Sequence, residues 1–235
     1  MKLCSRLILR IKEEGLLRTV IYVIYTAFYC SREFICDTFL DLRYSGRLLR
    51  GNLETHYGHL GSNDVYHSKY SALAIIFRLI PITGNDVLVD VGCGKGRVIN
   101  YWLSRKLKNK IIGLELDERI AANTAAQFAG WNNVRIISGN AIHNIPEDGT
   151  IFYFYNPFSE EVVRQFEETM SRMFAGKQIR IIYYNPKSVH VFQNGKWLIK
   201  YINFEKDLGY KRWGRINKYH DLALLRKKGS HDNRA

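Results

Sequence analysis

The sequence predicts an α/β protein, a doubly wound and mostly parallel seven-stranded sheet behind an N-terminal helical extension. Three observations predict it. From Val87 onward, short apolar runs alternate with amphipathic stretches, the pattern of strands and covering helices in an open parallel sheet. The first run leads into a glycine-rich turn, "LVDVGCGKGRVI" from Leu88 to Ile99, and such sheets receive ligands beyond the carboxyl ends of their strands. Upstream, Leu3 to Phe39 mixes apolar and basic residues at helical rather than strand spacing.

The chain has 235 residues, is 46% hydrophobic and contains four prolines, enough for one sizeable core. It divides into an extension and connecting segment (1–64), a main domain (65–228) and a tail (229–235). The connecting segment is read from Leu42 to Asp64, rich in Gly, Asn, Arg and His. "YSALAIIFRLI" has helical periodicity, and Pro81 and Gly84 punctuate the chain after it. Strands follow at Val87–Val91, Lys110–Leu114, Val134–Ser138, Thr150–Tyr155, Gln178–Tyr184, Trp197–Phe204 and Lys218–Arg226. Helices fall between them at Arg97–Lys106, Asp117–Ala129 and Ser159–Phe174.

A net charge of +13 and a pI near 9.6 point to an anionic partner, nucleic acid or an acidic membrane surface, without choosing between them. Cys4, Cys30, Cys36 and Cys93 stand far apart without a C-x-x-C pair, giving neither a disulfide framework nor a zinc site, as in a reducing, cytoplasmic setting. The longest uncharged window near the N-terminus, Thr19 to Ser31, is too short to cross a bilayer comfortably. Glu13 and Glu14 interrupt the basic stretch before it and no A-x-A-like site follows, which argues against a secretory signal. Residues 1–39 are therefore read either as an interfacial helix on an anionic membrane or as helices packed over the domain behind them. His56, His59 and His67 lie in a glycine-broken stretch that announces no metal geometry. No metal is expected.

The glycine run decides more. Gly92, Gly94 and Gly96 alternate, whereas a dinucleotide fingerprint wants its third glycine at 97, where Arg97 stands. A phosphate loop is excluded too, since Lys95 lies inside the run and no G-K-[ST] follows. "VDVGCGKGR" resembles instead the first motif, D-x-G-x-G-x-G, of Rossmann-like (class I) S-adenosylmethionine-dependent methyltransferases. The likeness runs from about Val87 to Arg226 and is close to bacterial members carrying "D-x-G-C-G-K-G-R" and a later "Y-N-P-F".

That resemblance implies S-adenosyl-L-methionine as cofactor, with Gly92, Cys93, Gly94 and Gly96 leaving room for its methionine and ribose, and Asp90 fixing the methionine ammonium. In "IIGLELD", Glu115 ends the second strand, with Leu116 after it; an acidic side chain there can accept from both ribose hydroxyls. In "ISGNAIHNI", Asn140 stands before Ala141 where the family has Asp-Ala, so the adenine contact falls to an uncharged oxygen. An Asx turn after the strand is the other reading of Asn140.

"IFYFYNPF" ends at Asn156, Pro157 and Phe158. The family places acceptor residues there, so these three are the catalytic candidates, with Asn156 also near the cofactor. "YNPF" is similar to the N-P-P-[YF] signature of methyltransferases acting on exocyclic or amide nitrogens, with one proline fewer.

Methyl transfer from a sulfonium needs alignment and exclusion of water more than an acid-base pair. A hydroxyl acceptor would add a base such as His143, His190 or an Asp; Tyr66, His67 and Tyr70, just upstream, are read either as a cap on the site or as ordinary packing residues. The alternatives are a non-catalytic binder on the same fold, a nucleic-acid methyltransferase and a protein-lysine methyltransferase. The binder would meet membrane or RNA through the basic region from Lys196 to Arg234; the nucleic-acid reading uses "YKRWGRINKYH", which interleaves aromatics and cations, a β-hairpin with a solvated basic loop being the other reading of that stretch. Against the protein-lysine reading, the ATP synthase c-subunit methyltransferases do not read Asn-Pro-Phe at this motif.

Overall fold

The computed structural model describes residues 2–51, 67–209 and 220–228. The histidines His56 and His59, Tyr66, most of "YKRWGRINKYH" and the tail lie outside the described residues. The elements run α1 (Lys2–Glu14), α2 (Leu16–Ser45), α3 (Tyr70–Ile76), β1 (Leu88–Val91), α4 (Arg97–Ser104), β2 (Ile111–Glu115), α5 (Glu118–Gln127) and β3 (Val134–Ser138). They continue as β4 (Ile151–Tyr155), α6 (Glu160–Met173), β5 (Arg180–Tyr184), β6 (Trp197–Ile202) and β7 (Leu222–Lys227).

The strands form a seven-stranded sheet in the order β3-β2-β1-β4-β5-β7-β6. The first five positions are parallel, and β7 runs antiparallel to both of its neighbours. The order reverses between β1 and β4, so the loops after these two strands part and leave a crevice at their carboxyl ends.

Period-two alternation divides the strands between two cores. Leu88, Ile111, Ile151, Tyr153, Ile182 and Tyr184 meet Leu73, Ile76, Val98, Trp102 and Phe128 on one face. Val89, Ile112, Phe152, Phe154, Ile181 and Tyr183 meet Val163, Phe166, Met170 and Phe174 of the α6 layer on the other. Both faces of these strands are covered, so they read as continuous apolar runs. Two helices begin at side chains or positions legible in sequence: Asp117 caps α5 by accepting from the amides of Arg119 and Ile120, and Ser159 precedes α6.

The connecting segment begins later than Leu42. Helix α2 continues to Ser45 and stops at Gly46, whose φ of 68° and N–H bond to Leu42 O close the helix. A run of composition marks the segment, but the left-handed residue terminates the helix.

The second half of α2 packs on α4 through a buried polar cluster. An Arg97 Nη nitrogen lies 2.6 Å from an Asp37 carboxylate oxygen, and the guanidinium sits 4.4 Å over the Tyr70 ring. Tyr70 donates to Asp41 Oδ1 (2.6 Å), Leu49 N donates to the other oxygen (3.0 Å), and Asn100 donates to Leu40 O (2.9 Å). Burial pushes the Asp37 carboxyl up, and the neighbouring Arg97 pulls it back down. Farther along, Trp131 donates to Tyr44 O at 3.1 Å.

Removing one member of a buried pair leaves the other charge uncompensated. Arg97→Met, which keeps the volume, is expected to lower stability by about 3–5 kcal/mol, read as a fall in the urea midpoint at unchanged m-value. A loss within measurement error would show that α2 is held by apolar contacts alone.

Candidate functional site

The glycine turn follows β1 directly. Gly92 N and Cys93 N both donate to Leu114 O at 2.9 Å, and Gly96 N closes the turn on Cys93 O at 2.8 Å. All three glycines have positive φ: 75° at Gly92, 51° at Gly94 and 78° at Gly96, a conformation costly for other residues. A Cβ on Gly92 would lie 2.8 Å from Pro157 Cβ, and one on Gly96 would run into the Phe128 ring. At these two positions the bare backbone makes room for the protein itself, a role that spacing alone does not reveal.

The turn is clamped from outside. Glu115 Oε2 accepts from Gly94 N at 2.8 Å and its Oε1 accepts from Asp117 N at 3.0 Å. Thr124 donates to Gly94 O at 2.7 Å. Lys95 Nζ reaches back to Arg50 O (2.8 Å) and Gly51 O (2.9 Å), tying the segment after α2 to the loop. Burial pushes the Glu115 carboxyl up, and the two amide bonds hold it down.

Beside this turn lies a cleft lined among others by Leu49, His67, Ser68, Asp90, Gly92, Cys93, Tyr153 and Tyr155. Asp90 is 3% exposed, and its Oδ2 has no hydrogen-bond partner among the described residues. Burial, and then the neighbouring Glu115, push its carboxyl well above the ordinary range. Ser68 Oγ and the Tyr153 hydroxyl lie 2.7 Å apart. His67 has a buried Nδ1 without a partner, and burial beside Arg97 and Lys95 lowers its pKa to about 4, so it is neutral at pH 7. Lys95 and Arg97 also line the cleft, yet neither bonds to Asp90 Oδ2, so the cleft keeps one buried carboxyl oxygen open to a ligand donor.

Of the residues singled out in sequence, Asp90, Gly92 and Cys93 line the cleft, while Gly94 and Glu115 meet just behind it. Cys93 is buried and its thiol is pushed up, an inert wall. Leu116 follows β2, half-buried. Asn140 Oδ1 accepts from Ile142 N at 2.9 Å, capping a short 3-10 turn of Ala141–His143. Asn156 has φ 44°, and its Oδ1 accepts from the Tyr183 hydroxyl at 2.9 Å. Pro157 fills the space over Gly92. Phe158 packs toward Phe166 on the α6 side, their centroids 6.0 Å apart. His190 Nε2 lies 3.1 Å from Glu160, and Tyr70 belongs to the α2–α4 cluster.

Sequence reasoning passed over Ser68 and Tyr153. The signal for Tyr153 was the period-two alternation in "IFYFY", which puts Tyr153 and Tyr155 on the face opposite Phe152 and Phe154. Ser68 carried no local signal.

No family model and no curated protein matches the chain. Among solved structures, a tRNA methyltransferase from B. subtilis matches with a TM-score of 0.50 at 13% identity, over 68% of this chain and 67% of that one. An RNA methyltransferase from Salinibacter ruber, in complex with S-adenosyl-L-homocysteine, matches at 0.49 and 15%, over 71% and 95%. A SAM-dependent methyltransferase from Aquifex aeolicus matches at 0.49 and 14%, over 67% and 89%. The chain has the class I methyltransferase fold. At these identities the likeness concerns architecture, and the chemistry must come from the cleft.

The raised carboxyl makes Asp90 a stability liability with a definite sign. A group whose folded pKa lies above its unfolded value favours folding while protonated, and that contribution is lost as pH rises through the folded pKa. Asp90→Asn is therefore expected to raise the urea midpoint at pH 7, with the gain shrinking toward pH 4. An equal effect at both pH values would refute the burial of an uncompensated charge.

Proposed function

We propose that the protein is an S-adenosylmethionine-dependent methyltransferase. The observation that carries the reading is the buried, partnerless Asp90 Oδ2 at the switch point of the sheet, beside the glycine turn. A carboxylate kept there without a partner fits a ligand ammonium, and the methionine portion of the donor has one. The Glu115 oxygens accept from the backbone amides of Gly94 and Asp117 and retain acceptor capacity for ribose hydroxyls. Asn140 is the residue we assign to the adenine edge. The bound sulfonium supplies a methyl group already activated for displacement.

What the chain adds is alignment and a dry wall. We place the acceptor at the end of β4, and a nitrogen is the acceptor type that the Asn156-Pro157-Phe158 turn favours. Phe158 faces α6, so the aromatic surface available on the cleft side is Tyr155, whose ring lies 4.8 Å from Tyr184 and 5.6 Å from His220. Asn156, bonded to Tyr183, supports the turn that carries it.

Calorimetry with S-adenosylmethionine and S-adenosylhomocysteine tests the cofactor. Both are expected to bind, and Glu115→Ala to weaken each by about tenfold or more, since one charge-assisted bond is worth roughly 1.5–3 kcal/mol. Failure of the wild type to bind either compound would overturn the reading. Isotopically labelled donor incubated with fractionated lysate then identifies the acceptor class. Binding without transfer to any fraction would favour a non-catalytic binder. Once the acceptor is known, Tyr155→Ala and Asn156→Ala are expected to lower turnover by about 10²–10³ with little change in cofactor affinity, as loss of transition-state alignment does.

A further inference from the structure

Helix α2 has two faces that do not resemble each other. Its three acidic residues all point to the domain and are engaged there: Glu33 accepts from Ser71 at 2.9 Å, Asp37 meets Arg97, and Asp41 accepts from Tyr70 and Leu49. On the opposite side, Leu17, Ile21, Ile24, Phe28, Ile35 and Phe39 are 56–73% exposed. Their spacing of three, four or seven residues puts them within an arc of about 60° on a helix advancing 100° per residue. The stripe runs for about 33 Å at 1.5 Å per residue. Arg18, Arg32 and Arg43 lie exposed along one flank of it, and no acidic side chain of α2 shares that half of the helix.

We propose that this face of α2 seats the protein on an anionic lipid bilayer, lying in the interface with its apolar stripe among the acyl chains and its arginines at the headgroups. Soluble surfaces rarely leave so long an apolar stripe open. No helix among the described residues is long and apolar enough to cross a membrane, and an amphipathic helix with cations on its flank suits the interface instead. A second copy of the chain fits poorly. Pairing two such stripes, parallel or antiparallel, gives the three arginines no α2 carboxylate to meet, because every one is turned to the domain. An anionic surface answers both features at once.

The consequence concerns placement of the cleft. Arg97–Asp37 and Lys95–Gly51 fix α2 and the segment after it to the glycine turn, so a helix held at the interface holds the cleft at a set distance from it. The surface proposal stands whether or not the cleft transfers methyl groups.

Co-sedimentation of the full chain with vesicles decides it, using phosphatidylcholine alone and phosphatidylcholine mixed with phosphatidylglycerol. The wild type is expected to sediment with the mixed vesicles only. Arg18→Gln/Arg32→Gln/Arg43→Gln should weaken that binding on the order of 100-fold, at about 1 kcal/mol per cation near an anionic surface. Ile24→Glu/Phe28→Glu should abolish it, with an unchanged thermal midpoint by circular dichroism because both side chains are exposed. Should that variant fail to fold, the arginine variant, altered only at exposed positions, carries the test. The proposal is overturned if the mixed vesicles leave the protein in the supernatant. It is equally overturned if the arginine variant binds as the wild type does, or if analytical ultracentrifugation finds a dimer that Ile24→Glu/Phe28→Glu dissociates.

Discussion

The contact on which the rest of the structure depends is the buried guanidinium of Arg97. It sits at the first position of α4, immediately after the glycine turn, and meets Asp37 from α2 and the ring of Tyr70 from α3. One side chain thus joins three helices at the edge of the cleft. A buried ion pair contributes little net stability compared with a well-packed apolar group, because both partners must shed water. What it enforces is geometry: a charge that cannot be left unpaired allows one docking of α2 and penalises its neighbours.

The cleft works by the opposite device. Asp90 is buried as deeply as Arg97, yet it has no cation, and the glutamate beside it makes its position worse. Burial raises Glu115 as well, but the two backbone amides it accepts offset part of that cost. The two carboxyls, on neighbouring strands, therefore differ in kind: Glu115 holds the loop through backbone amides, and Asp90 Oδ2 has no partner among the described residues. The α2–α4 cluster, with its acids matched by donors, supplies the rigid frame against which that imbalance can be held.

Much of the architecture was legible in the sequence. Strand and helix alternation comes from apolar periodicity, a local property, and each of the seven strands falls within or beside its expected run. The glycine turn was legible because positive φ demands glycine wherever it occurs. Less legible was what each glycine faces: Pro157 and Phe128 are brought to Gly92 and Gly96 by strand order and by the return of α5, contacts that link residues 65 and 32 positions apart in sequence. The "YNPF" turn was located correctly at the end of β4, but the side to which Phe158 turns depends on α6 offering Phe166. His67 and Ser68 reach the cleft only because α3, which follows them, packs on α4, and Ser68 meets Tyr153 of β4, 85 residues on.

By itself the sequence determined the alternating elements, the glycine turn, the excess of positive charge and the amphipathic character of the first 39 residues, all of which follow from local spacing and composition. Only the tertiary structure decided which face of α2 turns inward. Its acids are drawn to the domain by Arg97, Tyr70 and Ser71, side chains that lie 38 to 60 residues or 29 residues away in the chain, and the apolar stripe is left outside as a result. It also decided that Asp90 Oδ2 ends without a partner, since strand pairing buries that position on both sides while no hydrogen-bond donor among the described residues reaches it. Long-range packing settles such matters because the cost of burying a charge depends on everything around it, and no window of sequence contains that neighbourhood.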